Sequence, residues 1–355
     1  MDTRLKIYTD KSLLGVEKTW YPMLFPFWGS IDEGNDIDNG RFNDYCSVGS
    51  KYFTITSELA DADIALIPFW WKPDWWNKEV LKNQNEVAEK LVYQCKRLGK
   101  KILIFFGTDS VEDISVENSI VFRSSFYRSK KKSTEFAKPG WSIDFLKTYY
   151  NNKLILRAKS KVPTIGYCGY VDYNFLDKKV ALAYHIKDIL ISIIKANSMV
   201  KPWEKLRGSA VRACLRSRVV DMKYVYRSSF SADTPLNRRM EYANNIMNTD
   251  YTIVTRGGGN FSYRLFEVLS CGRIPIFVDS DTPIPFDNIV DWKKYFVWVD
   301  ERDVKYIPDV VDNFHKAMNN DEFVELQKTE RKLYEEWIAP QGFFKNIWRC
   351  IVPLL

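Results

Sequence analysis

Residues 1–110 alternate short apolar runs with one long amphipathic stretch. Leu5–Tyr8 is a brief run that stops at Thr9–Asp10, Ala62–Pro68 (ADIALIP) is a second, and Lys101–Phe106 (KILIFF) is a third that stops at Gly107-Thr108-Asp109. Between the last two, Glu79–Leu98 repeats its apolar positions at helical spacing and ends at Gly99, a residue suited to the left-handed turn that closes a helix. Continuous apolar strands separated by helices predict a parallel sheet covered on both faces. Pro139–Pro163 interrupts the rhythm and reads as a linker, after which a second series starts near Thr164. Helices are predicted over Val180–Ala196 and from Glu204 to Cys214, strands over Tyr251–Thr255 and Ile274–Val278, and a charged helix over Asp321–Trp337. The tail, Phe343–Leu355, is apolar enough to dock. The expectation is an α/β protein with an N-terminal domain over 1–163, a C-terminal domain over 164–325 and terminal helices over 326–355.

Composition narrows the classes. A chain of 355 residues with 46% apolar and 27% charged residues is globular and too long for one ordinary core. Aromatics reach 15%, with 12 Trp; sugar-binding clefts use aromatic platforms, and large cores do too. The net charge of +7 suits anionic ligands but is too diffuse for a nucleic-acid partner. Six cysteines without C-x-x-C spacing, and only two histidines, argue against a zinc cluster and read as free thiols of a reducing compartment. MDTRLKIYTD lacks a signal-peptide core, and no window reaches 18 apolar residues, so the expected location is cytoplasmic and soluble.

Chemistry concentrates in Thr252–Val299. The strand before Thr255 runs into Arg256, Gly257, Gly258, Gly259 and Asn260, and a helix then opens at Ser262. Strand, glycine loop, helix, strand is the order in which α/β proteins build anion sites, because a helix N-terminus offers unpaired N–H groups and a positive dipole end. Glycines admit the backbone to a phosphate, and Ser262 suits the N-cap. Arg256 and Arg264 supply forked cationic donors, and Glu267, one turn further along the helix, supplies a carboxylate for ribose hydroxyls. The set points to a nucleotide diphosphate. A P-loop is excluded, since no Lys-Ser or Lys-Thr follows the glycines. Gly257, Gly259 and Ser262 nearly satisfy G-x-G-x-x-G, with Asp279 about 20 residues on, so an NAD(P)-dependent oxidoreductase is the second reading.

The pattern R-G-x-G-x-x-S-x-R-L-x-E-x-L-x-x-G-x-I-P, carried by Arg256, Gly257, Gly259, Ser262, Arg264, Leu265, Glu267, Leu269, Gly272, Ile274 and Pro275, resembles the exostosin-like glycosyltransferases of family 47. Asp281, Pro285–Phe286, Asp291–Trp292 and Glu301–Asp303–Val304 extend the likeness. Upstream, Ile165–Tyr170 resembles the first strand and turn of the family's C-terminal domain, with Gly169 at the turn, and Arg212, Arg227 and Tyr242 fall at its basic and aromatic positions. Phe122–Trp141 resembles a stretch of bacterial-type members. The resemblance implies the GT-B architecture, two Rossmann-like domains across a cleft, with the last helix crossing back to the N-terminal domain. It implies inverting transfer from a nucleotide diphosphate sugar, usually a UDP-sugar, without a metal ion or other cofactor. The acceptor implied is a glycan or lipid-linked saccharide. Many members are anchored in the Golgi membrane, from which this chain is expected to depart.

Such a reaction needs a general base at a strand's C-terminal end on the acceptor side. Asp10 and Asp109 both meet that rule, although either serves equally as a helix N-cap, and Asp36, Asp38 and Asp74 lie in loops within reach of a cleft. The cluster Phe69-Trp70-Trp71…Trp75-Trp76 reads as ordinary packing, a sugar platform or a peripheral membrane contact. Lys130–Lys132 reads as a solvated loop or a contact for an anionic acceptor or lipid surface.

Overall fold

The computed structural model describes residues 4–171, 202–227 and 236–355. Two parallel sheets carry the molecule. The first comprises β1 (Leu5–Tyr8), β2 (Phe53–Thr56), β3 (Ile64–Trp71), β4 (Lys101–Phe106), β5 (Ser119–Arg123) and β6 (Glu135–Ala137), in the order β2-β1-β3-β4-β5-β6. The second comprises β7 (Thr164–Tyr170), β8 (Asp221–Arg227), β9 (Tyr251–Val254), β10 (Ile274–Asp279) and β11 (Val297–Asp300), in the order β11-β10-β9-β7-β8. In each sheet the first strand lies between the second and the third. The chain therefore reverses its winding beside β1 and beside β7, and open α/β sheets bind ligands at the carboxyl ends of the strands flanking such a reversal.

Local chemistry explains the helices. Helix α1 (Lys78–Leu98) starts where the Asn77 side chain accepts from the N–H groups of Glu79 and Val80, and it stops at Gly99, whose φ of 65° is left-handed. Its Ala88, Leu91 and Cys95 pack on Ala65, Ile67, Ile102 and Ile104 of the first sheet. Helices α2 (Pro202–Arg216), α3 (Leu236–Met247), α4 (Tyr263–Ser270) and α5 (Ile307–Lys316) accompany the second sheet. Helix α6 (Asn320–Leu333) opens with a capping box between Asn319 and Glu322, passes into a π turn over Tyr334–Ile338 and is followed by α7 (Pro340–Asn346). The predicted helix over 180–196 lies outside the described residues.

Helix α7 packs against the first sheet. Phe343 meets Trp141 and Phe122 edge-on at 5.2 and 5.8 Å, Phe344 lies 4.3 Å from Tyr45, and the Trp141 indole donates to the Ile338 carbonyl at 3.0 Å. Both phenylalanines are fully buried, and each contributes roughly 1.5–3 kcal/mol by leaving water. Pro139–Pro163, expected as a linker, also holds a short helix, Phe145–Tyr149, whose Phe145 is fully buried. All six cysteines are free thiols, five of them buried. Among the described residues, no helix is long and apolar enough to cross a membrane.

Candidate active site

The glycine loop leaves β9 at the second sheet's reversal point, opposite the end of β7. Arg256 is half-buried there, and its Nε finds no hydrogen-bond partner. A buried N–H without a partner is costly, and an anionic ligand would satisfy it. The chain turns through a Gly257 N–H to Phe261 carbonyl bond of 2.9 Å into Ser262, which stands at the N-cap position of α4. The Ser262 hydroxyl, expected to cap, makes no capping bond. Around Gly258 a Cβ would meet nothing within 4 Å, whereas at Gly259 it would lie 2.8 Å from the Asp109 carbonyl oxygen and 2.9 Å from Ser125 Oγ. Gly259 is thus needed for close approach to the first domain, and Gly257 and Gly258 are the glycines that leave the loop open.

Behind the loop lies a connected polar system. Arg264 stacks 4.0 Å over the Tyr167 ring, donates to the Cys168 carbonyl at 2.8 Å and to the Tyr242 hydroxyl at 3.2 Å. Gly169 leaves space for it, since a Cβ there would lie 2.9 Å from the guanidinium. The Tyr242 hydroxyl donates to Glu267, whose other oxygen is 3.6 Å from Arg239. Burial raises the Glu267 carboxyl above the usual range, and Arg239 limits the rise. Arg239 also reaches Asp38 of the first domain at 2.7 Å. Glu267 therefore anchors Tyr242 and Arg239 where a free ribose ligand was expected. Arg227 pairs with Glu241 at the end of β8.

Two residues of the Thr252–Val299 stretch, Asn260 and Asp281, hold the domains together. Asn260 accepts from Ser280 and Thr282 and donates to the Phe126 and Asp281 carbonyls at 3.0 and 3.1 Å, which uses its whole side chain. Asp281, at a φ of 61°, accepts from the Ser129 N–H and hydroxyl at 3.0 and 2.5 Å. Asp279, the acid that a dinucleotide reading assigns to ribose, is engaged by Arg128 at 2.8 Å and by the Trp298 indole at 3.2 Å. That occupation removes the specific support for the oxidoreductase reading.

The first domain faces the loop with a cavity of about 330 Å³ lined by Trp20, Phe42, Trp70, Asp109, Lys138 and Trp141, and closed by Tyr263 from α4. Asp109 follows β4 and is open to the cavity, while the protein around it desolvates the carboxyl and raises its pKa, with Lys138 opposing. Lys138 is buried beneath Trp70 and Trp141 at 4.8 and 5.7 Å and donates to Ser124 Oγ at 2.8 Å. Burial pushes its ammonium down to about 7. The other candidate bases have different work. Asp10 accepts from the Ser12 N–H at 2.7 Å, caps the turn Lys11–Leu14 and does not line the cavity. Asp36 pairs with Arg41 at 3.6 Å, and Asp38 is held by Arg239. Lys138, Arg239 and Tyr263 were not singled out from the sequence. Among the described residues, no three His, Cys, Asp or Glu side chains are grouped to hold a metal.

Two Rossmann-like sheets, with a glycine loop of one set against an aromatic cavity of the other, define a GT-B-like fold. Residues 196–314 match the family profile described as Exostosin GT47 domain. Exostosin-1 of Drosophila melanogaster is 28% identical over 101 residues, 28% of this chain and 13% of that protein. Exostosin-1b of Danio rerio is 26% identical over 207 residues, 57% of this chain and 27% of that protein. The chain thus spans only a small part of the curated relatives it matches. Over that stretch the chain is similar to the exostosin-like glycosyltransferases of family 47.

Proposed function

We propose that the chain transfers a sugar, with inversion, from a nucleotide diphosphate donor at the Arg256–Arg264 loop to a glycan hydroxyl held in the aromatic cavity. The UDP-sugars are the favoured donors. The observation that carries this reading is the contact at Gly259: the backbone of Asp109 lies against the glycine loop, which supports pairing Asp109 as base with a diphosphate held by that loop. In the reaction the acceptor oxygen attacks the anomeric carbon from the Asp109 side and Asp109 takes its proton. The bond from the anomeric carbon to the diphosphate breaks with its electron pair. Arg256 and the N-terminus of α4 stabilise the charge that accumulates on the leaving diphosphate, a task they perform without a metal ion. Arg264, fixed on Tyr167 and Cys168, holds positive potential behind the loop. The likeness to family 47 and the aromatic cavity walls support a glycan or lipid-linked acceptor.

The test is calorimetry with UDP, GDP, NAD and NADP in EDTA, followed by turnover of UDP-sugars. UDP binding is expected to survive EDTA, to weaken in Arg256→Ala and to persist in Asp109→Asn. Loss of a general base lowers the transfer rate about 10²- to 10⁴-fold. The rate of the parent is expected to rise with pH until Asp109 is ionised, because its raised carboxyl must shed a proton before accepting one. Binding of NAD or NADP alone, or full activity of Asp109→Asn, would overturn the reading.

A further inference from the structure

Outside the cavity the first domain carries two tryptophans that the proposed chemistry does not use. Trp75 is 62% exposed and Trp76 38%, with ring centroids 5.3 Å apart. Adjacent indoles left in water mark an interaction surface more often than a lone exposed apolar side chain does. They lie in the loop from β3 to α1. That loop leaves the carboxyl end of β3 beside β1, where the first sheet reverses its winding and where open α/β sheets take ligands.

Several contacts make this loop continuous with the cavity. Trp70, a cavity wall, is the penultimate residue of β3. Gly107, also in the wall, donates to the Trp71 carbonyl at 2.9 Å. The Asp74 N–H donates to Glu112 at 3.3 Å, joining the tryptophan loop to the one that carries Asp109. On the other flank, the Lys72 ammonium lies 5.1 Å from the Trp76 ring and within electrostatic reach of Glu17, two residues before the cavity residue Thr19.

We propose that Trp75 and Trp76 form a distal acceptor subsite, stacking the sugar rings that precede the unit whose hydroxyl meets Asp109. The substrate class is then a glycan chain of several units, not a single sugar; this rests on reading the cavity as the acceptor site. Pyranose rings present apolar C–H faces to indoles and hydroxyl rims to side chains such as Lys72, Asp74 and Glu112. The acids Asp74, Glu79 and Glu112 offset Lys72 and Lys78 near the pair, so it lacks the cluster of unopposed basic residues by which an anionic lipid surface is held.

The experiment compares the parent chain with a Trp75→Ala/Trp76→Ala double variant, on cello-, xylo-, manno- and chito-oligosaccharides of two and six units. Binding is read by intrinsic tryptophan fluorescence and transfer by UDP release, with a thermal melt to establish folding. Two stacked rings correspond to roughly a tenfold lower KM for the best hexasaccharide than for its disaccharide. The double variant is expected to lose that advantage while keeping kcat and the disaccharide KM. A hexasaccharide advantage that survives in the variant, hexasaccharides that bind no better than disaccharides, or a variant that loses only binding to phosphatidylserine vesicles would overturn the subsite. Failure of the parent reading is distinct: it appears as no UDP binding, or as Asp109→Asn turning over normally.

Discussion

Charged groups buried at single positions divide into those with a use and those without one. Lys138 has a hydrogen bond, two aromatic faces and a nearby carboxylate, all at a cavity wall. Glu330, in α6, has both carboxylate oxygens buried without a hydrogen-bond partner, and burial raises its pKa well above the ordinary glutamate value. The folded chain therefore holds this proton where the unfolded chain releases it. Stability is fully present below the unfolded pKa and falls by about 1.4 kcal/mol per pH unit from there up to the raised folded value. Glu330→Gln keeps the shape and removes the titration. Its melting temperature is expected to match the parent's near pH 4 and to exceed it at pH 8; equal melting at both pH values would contradict the assignment.

At the scale of elements, the loop between β9 and α4 is set by what lies on each side of it. At Gly259 an added methyl would press on the Asp109 backbone, which cannot swing aside as a side-chain tip can. Gly259→Ala is expected to cost about 1–3 kcal/mol by overpacking and to lower kcat more than UDP affinity, as calorimetry and initial rates would reveal. Interior strands were legible in the sequence: β1 and β4 fall on their predicted bounds, and β3, β9 and β10 within a few residues. β3, β4, β9 and β10 are buried on both faces and read as continuous apolar runs, whereas β1 buries one face only. The unread strands are mostly edges. β2, β6, β8 and β11 each flank a sheet on one side only and are short or polar, as Glu135-Phe136-Ala137 and Asp221–Arg227 illustrate. β5 is interior but ends in Arg123, whose charge is buried 3.5 Å from Glu135. The glycine loop was legible because its chemistry is local in sequence. The cavity was not, because it joins Trp20, Lys138 and Tyr263, and the Arg239–Asp38 contact joins residues 201 apart.

Across the whole molecule, the two sheets are coupled by polar staples and by a returning helix. Asn260, Asp281, the Arg128–Asp279 pair and the Arg239–Asp38 pair all cross from one half to the other. Arg331 reaches Asp144 through two bonds of 2.8 Å and the Ser270 carbonyl at 2.6 Å. Phe343→Ala removes a fully buried ring that touches Trp141, Phe122 and Phe286, and it is expected to cost about 3–5 kcal/mol. Because that ring packs beneath the first sheet, hydrogen exchange is expected to speed up in β4 and β5 as well as in α7. Faster exchange confined to α7 would argue against the coupling.

The position of α7 also sets a timetable for biosynthesis. The last strand of the first sheet ends at Ala137, and the phenylalanines that finish its core are translated about two hundred residues later, a delay of roughly 10–40 s at ordinary elongation rates. Throughout that interval Trp141, Phe122 and Tyr45 lack their partners, so the nascent N-terminal half emerges from the ribosome with an open apolar face. Chaperones that shield such faces during synthesis have a defined window in which to act, and it closes when Phe343 and Phe344 leave the exit tunnel.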